Sequence, residues 1–246
     1  MEFNEVREKI ASRGHWFVIV GPGEEREEES TEYPRDKYNI LKQLGIQHRG
    51  WPYPYFPGID NEKPFASLIF EDQKIKGCSD FQHQKECFTL FKSNQFVSIK
   101  AIGEDWVDES ENLQNSELKD YEPGEILSFV STTYSFTEVF MFVKNLVDSD
   151  LYKTHNNFYF KFQYQKLQGR TLKIFGKDRI GFSMDYKSNS AAICVCELFL
   201  EKEYFMTNWR KILLEGCIKF YKNFGSYEPS EKVIESDINN FINRRF

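Results

Sequence analysis

Asp60, Asp72 and Lys74 come nearest in this chain to the spacing of a hydrolytic metal site. An aspartate ahead of a strand, then an acid and a lysine two positions apart on it, supplies two carboxylates for a divalent cation such as Mg2+. The ammonium then orients the attacking water. Asp60 precedes Phe70-Glu71-Asp72-Gln73-Lys74, and strand geometry would point Asp72 and Lys74 the same way. Charged residues at strand ends fall into this spacing often, so solvated turn residues are the competing reading.

Other chemistries are less well supplied. Cys78-x4-His83-x3-Cys87 offers three of the four ligands that zinc takes, without a fourth in view. There is no Gly-x-Ser-x-Gly nucleophile motif. Gly21-Pro22-Gly23 runs into glutamates that would repel a phosphate. No cofactor is expected apart from the Mg2+ of the nuclease reading. Glu86 and Glu138 each sit among large apolar residues. A buried acid demands a cationic partner, for which Arg49, Arg170 and Arg179 are candidates. Such a pair either fixes packing or anchors a ligand.

The densest concentration of rings lies in His48-Arg49-Gly50-Trp51-Pro52-Tyr53-Pro54-Tyr55-Phe56-Pro57-Gly58. Each proline fixes its own φ and pushes the preceding residue toward extended geometry, so this is a stiff ribbon short of backbone donors. Arg49, Trp51, Tyr53 and Tyr55 could form a recognition surface, even one that stacks unpaired bases. Half of an extended ribbon faces inward, so core packing competes. The net charge of -6 gives no support to wholesale binding of a phosphate backbone.

These residues need elements to position them. With 24 Phe and 13 Tyr among 246 residues the chain has material for a substantial core in a single domain. Phe3, Val6 and Ile10 predict a first helix closed by Gly14 at its C′ position, and His15 to Val20 a strand. The glutamate run within 22–33 reads as a flexible acidic loop. Asp36 to Leu44 reads as a second helix. Phe65 to Phe70, Glu86 to Lys92 and Gln95 to Ile102 read as strands of an antiparallel meander; in the last, Ser98 and Lys100 mark a wet face. Ile126 to Val147 shows helical periodicity with a kink or break at Ser135 to Thr137. Phe158 to Tyr164, Leu172 to Phe175 and Ala191 to Leu200 read as strands, with Cys194 and Cys196 filling one side of the last. Two amphipathic helices follow, one from Trp209 to Phe224 and one after Pro229. Polar residues interrupt the apolar stretch Phe129 to Val147, so no membrane span is expected. No secretory leader is apparent, and five scattered cysteines fit a reducing cytoplasm.

Arg49-Gly50-Trp51-Pro52-Tyr53-Pro54 resembles the RGWxYP element of a family of uncharacterised bacterial proteins. The block Glu86-Cys87-Phe88-Thr89-Leu90-Phe91-Lys92-Ser93-Asn94-Gln95-Phe96 is similar to that family's acidic-aromatic block, with Phe88 and Asn94 where Trp and Gly are usual. Thr137-Glu138-Val139-Phe140-Met141-Phe142 resembles its Thr-Glu helix, and Phe220 to Gly225 its C-terminal helix end. Members occur alone or near AlbA/schlafen-type DNA-binding domains in mobile or defence contexts. The resemblance implies a sensing or accessory role with no settled catalytic residues.

The expectation is an α+β domain with a mainly antiparallel sheet, helices packed on it and two C-terminal amphipathic helices. Its function is expected to be non-enzymatic binding or regulation in a bacterial defence or DNA-associated system, with a protein partner or small ligand. Arg49, Trp51, Tyr53, Tyr55, Glu86 and Glu138 would form the binding site. The alternatives are a PD-(D/E)XK-like nuclease and an oligomerisation subunit.

Overall fold

The computed structural model describes residues 2–23, 33–59, 63–111, 116–175 and 179–245. Asp60 and residues 24–32, which hold the whole glutamate run of the expected 22–33 loop, lie outside the described residues.

The elements follow in the order α1 (Phe3–Ser12), β1 (His15–Pro22), α2 (Pro34–Gln43), β2 (Ala66–Glu71), β3 (Lys74–Phe81), β4 (Gln84–Leu90), β5 (Phe96–Ala101), β6 (Ile126–Ser128), α3 (Phe129–Asp148), β7 (Asn157–Gln165), β8 (Thr171–Lys173), β9 (Tyr186–Lys187), β10 (Ala192–Glu201), α4 (Lys202–Tyr221) and α5 (Glu231–Ile242). Seven strands form one sheet in the order β10-β7-β1-β5-β4-β3-β2, and every pairing in it is antiparallel. A small second sheet, β6-β8-β9, contains one parallel pairing. This is an α+β architecture.

The large core lies on one face of the seven-stranded sheet. Alternation along β7 turns Phe158, Phe160, Phe162 and Tyr164 to that face. They meet rings from the helices edge-on, Phe136 against Phe162 and Phe140 against Phe160, with centroids 5.2 and 5.1 Å apart. Each such ring stabilises the fold by about 1.5–3 kcal/mol through its burial. α3 runs through this core unbroken. The expected kink or break at Ser135 to Thr137 is absent, and Thr133, Ser135 and Thr137 each donate a hydroxyl to the carbonyl four residues back. Their polar groups are thus satisfied inside the helix itself.

On the other face, α1 buries Phe3, Val6 and Ile10 against Cys78 and Cys87 of β3 and β4, Ala101 of β5, and Trp106. Two expectations for the sheet are corrected. Ser98 and Lys100 face the covered side of β5 rather than solvent, because the aromatic ribbon lies across them. A bulge between Cys194 and Cys196 pairs them with Gln163 and Phe162, on opposite faces of β7. The half-exposed Cys194 and the buried Cys196 therefore do not share a side.

One buried ion pair joins four separate parts of the chain. Asp105 lies in a short 3-10 turn, Gly103–Glu109, and Arg170 in the β7–β8 connection. Their side chains are 2% and 1% exposed, and they pair through bonds of 2.7 and 2.5 Å. The carboxylate also accepts the backbone N–H of Gly14 at 2.7 Å and of Gly124 at 2.9 Å. The guanidinium donates to the carbonyls of Lys166 and Ile126 at 2.8 and 2.9 Å. Gly14 serves this cluster: a Cβ there would collide with the Arg170 guanidinium and the Asp105 carboxylate. It does not serve as a left-handed helix stop, since it is not among the positive-φ glycines. Removing one partner of such a pair leaves a bare buried charge. Asp105→Ala is expected to lower unfolding stability by about 3–5 kcal/mol in chemical denaturation. Gly14→Ala should destabilise through the same cluster, and an unchanged midpoint for either variant would contradict this role.

Candidate binding cavity

The ribbon is stitched to the fold at both ends. A bridge pairs Tyr53 with Ile46, with N–H···O distances of 2.7 and 2.8 Å. The Tyr53–Pro54 peptide is cis. Tyr53 is 1% exposed, its hydroxyl 3.0 Å from Ser98 Oγ and its ring packed on Trp16 and Phe142. Burial holds its phenol well above the usual range. Tyr53 is therefore a core residue and not part of an outward ring surface.

Two ion pairs fasten the segment around it. Arg49 Nε donates to Glu138 Oε1 at 3.1 Å, and its terminal nitrogen binds Glu138 Oε2 and lies 3.3 Å from Ser135 Oγ. This fork pins the ribbon to α3, and stacking of His48 on Phe241 pins it to α5. Burial disfavours the Arg49 charge, but the adjacent Glu138 outweighs it and raises the pKa. Further on, the Tyr55 backbone N–H donates to Glu86 Oε1. Lys100 Nζ sits 3.0 Å from Glu86 Oε2, near enough to balance its charge but off the line of a hydrogen bond. Burial pushes the Glu86 carboxyl up, and Lys100 opposes it. Of the three arginines considered as counter-ions, Arg49 takes Glu138, while Arg170 and Arg179 serve Asp105 and Asp237.

Trp51 is stacked on Tyr55 and Phe81, with centroids 4.6 and 5.4 Å away and planes 22° and 4° apart. It thereby joins the ribbon to the tip of the β3–β4 hairpin. A cavity of about 830 Å³ opens beside this contact. Arg49, Gly50 and Trp51 form one wall, and Phe81 to Gln84 of the hairpin tip another. The end of β5 and the following turn, Lys100 to Glu104, close a third side. Ser128, the residue that caps α3, and Ser131, Thr132 and Ser135 from its first turns face them, over Trp16 and Tyr164.

The cations in these walls are paired. Arg49 and Lys100 each hold a carboxylate of their own. Glu104 accepts the Ser128 N–H at 3.1 Å, and burial pushes its carboxyl upward, toward the neutral form. His83, with Nδ1 2.9 Å from Ser110 Oγ, is driven down to about 4 by burial and then by Lys100 and Lys85, so it is neutral at pH 7. What remains for a ligand is rings, the amides of Gln82 and Gln84, hydroxyls, and the exposed carboxylate of Glu117, which also lines the cavity and disfavours an anion.

The residues of the nuclease reading are placed differently. Asp72 and Gln73, at φ 48° and 60°, are the turn residues of the β2–β3 hairpin, and Asp72 is exposed. Asp72 is thus not on the strand that Lys74 begins, and the same-face expectation fails for that reason. Asp60 is outside the described residues. The zinc-like trio also diverges: Cys78 and Cys87 oppose one another under α1, while His83 sits at the hairpin tip. Among the described residues, no group of three or more His, Cys, Asp or Glu could hold a metal ion, and no helix is long and apolar enough to cross a membrane.

Sequence reasoning missed Gln82, His83, Gln84, Lys100 and Glu104 as cavity residues. Only Lys100 carries a local signal, a lysine that shares a strand face with Phe96 and Ser98. No family model matches this chain, and neither a curated protein nor a solved structure is significantly similar to it.

His83 gives a pH signature. Its folded pKa lies below its unfolded value near 6.5, so the unfolded chain binds the proton first, and stability falls as pH drops from about 6.5 toward about 4. His15 is shifted in the same direction. The buried Glu86 and Glu104 are shifted upward and oppose the trend. His83→Gln is expected to flatten the stability-against-pH curve in that window, as read by urea denaturation. A slope identical to that of the wild type would refute the placement.

Proposed function

We propose that this protein is a non-enzymatic binding protein whose ligand is a small, uncharged, ring-bearing molecule held in the cavity between the ribbon and α3. The observation that carries this reading is the cavity itself, about 830 Å³ and ring-walled, with every cation in its wall already paired to a carboxylate. That volume falls in the range of about 300–1,000 Å³ typical of small-molecule sites. An anionic ligand would have to compete with Glu138 or Glu86 for its counter-ion. A neutral heterocycle would instead find amide and hydroxyl partners at the edge and rings at its faces.

Use of the ribbon as a platform for unpaired bases is less well supported. Trp51 is already stacked within the chain, Tyr53 is buried, and the net charge is -6. The resemblance of the Arg49 to Pro54 element and the Glu86 to Phe96 block supports a sensor or accessory role in a bacterial defence or DNA-associated system. Five free thiols support residence in a reducing cytoplasm.

The reading is tested by differential scanning fluorimetry against free bases, nucleosides and their phosphorylated counterparts. A compound present at a hundredfold over its Kd adds about 2.7 kcal/mol, a Tm rise of roughly 5–10 °C for a chain of this size. Uncharged members are expected to give the larger shifts. Ser131→Trp, which fills the cavity from α3, should keep the apo Tm near wild type and abolish the shift. No shift from any uncharged member, or a shift that survives Ser131→Trp, would refute the reading.

A further inference from the structure

The small core under α1 holds two thiols that the cavity does not use. Cys78 on β3 and Cys87 on β4 are register partners across an antiparallel pairing, and each is free and 1% exposed. Directly opposed residues in such a ladder have Cα atoms about 4.5–5.5 Å apart, inside the span of about 4.4–6.8 Å that a disulfide takes. The two thiols are within hydrogen-bonding reach of each other, and Ser67 Oγ lies 3.1 Å from Cys78 Sγ.

We propose that Cys78 and Cys87 are a reversible dithiol–disulfide pair, a modification site for hydrogen peroxide in the β3–β4 hairpin. The remaining cysteines offer no comparable partner. Cys194 and Cys196 face opposite sides of β10 across the bulge, and Cys217 is buried in α4. The acidities run the same way. Hydrogen bonding from Cys87, then from Ser67, holds the Cys78 thiol down to about 7, whereas burial pushes Cys194, Cys196 and Cys217 up. Cys87 is raised by the same contact that lowers Cys78.

The Ser67 hydroxyl, 3.1 Å from the Cys78 sulfur, can donate to a thiolate there, so the attack is assigned to Cys78. Its thiolate displaces hydroxide from the peroxide, giving a sulfenic acid, and the hydroxide takes up a proton to leave as water. Cys87 then attacks the sulfenic sulfur, the S–S bond forms, and a second water departs. Two thiols are oxidised and one peroxide is reduced to two waters. Glutathione or another small thiol restores the dithiol by exchange. The cover of Phe3, Val6 and Ile10 from α1 favours a small uncharged oxidant over a bulky one.

The experiment exposes the folded 246-residue chain to hydrogen peroxide, quenches it, denatures and alkylates it, and reads intact mass and a peptide map. Two of the five thiols are expected to disappear together with the mass of two hydrogens, the map should join the Cys78 and Cys87 peptides, and dithiothreitol should reverse both changes. Cys78→Ser and Cys87→Ser should each abolish the paired loss, and Cys194→Ser should not. Five alkylated thiols after exposure, a cross-link between any other pair, or oxidation confined to irreversible acids would overturn the proposal. The wild-type map decides the matter even if a serine variant fails to fold. None of these outcomes depends on what the cavity binds.

Discussion

The buried pair of Asp105 and Arg170 is the constraint on which the placement of the cavity depends. Its two side chains hold the entry to β1 through Gly14, the approach to β6 through Gly124 and Ile126, and the exit from β7 through Lys166. Glu104, next to Asp105, receives the N–H of Ser128 at the start of α3. The cluster thus sets where α3 begins relative to the end of β5, and these are two of the cavity's walls. A buried ion pair offers little net stability over a well-packed apolar pair, because desolvation cancels most of its attraction. Its value here is geometric: six hydrogen-bond directions are used, and a hydrocarbon of the same volume would impose none of them.

The same logic governs the ribbon. Its prolines remove backbone donors, so ladder hydrogen bonds cannot hold it beyond the short bridge to Ile46. Side chains do that work instead, with Arg49 reaching Glu138, Glu86 reaching back to the Tyr55 N–H, and the Tyr53 hydroxyl meeting Ser98. A consequence is that the cationic groups near the cavity are consumed by architecture. The site that results is ring-rich and polar, and its two cations, Arg49 and Lys100, are already paired.

Much of the framework was legible in the residues. The period-two pattern of β7, the helical spacing in α1, α4 and α5, and the meander through β4 and β5 all follow from local signals. β3 did not, because Gly77 interrupts its pattern. That glycine makes room for the ring of Phe88 on the neighbouring strand, a cross-strand reason that no window along the chain contains. Ser98 and Lys100 were misplaced for a similar cause: their polarity suggested water, while the partners that satisfy them, Tyr53 and Glu86, lie well away along the chain. The need of Glu138 for a cation was readable, since a carboxylate among phenylalanines requires one. The linkage of Asp105 to Arg170 was not, because both residues sit in polar stretches that look solvated.

The position of β1 in the sheet has a consequence for synthesis. Its one edge pairs with β5, its other with β7, so His15 meets Ala101 early but must await Gln165. At the usual pace of about 5–20 residues per second, that wait is on the order of ten seconds. Through it, Trp16, Val18 and Val20 belong to a half-built sheet with an open edge, and α3 is only just emerging to cover it. An unpaired strand edge beside exposed apolar side chains is open to wrong partners, so shelter in that interval is a task for the ribosome and its chaperones rather than for the finished fold.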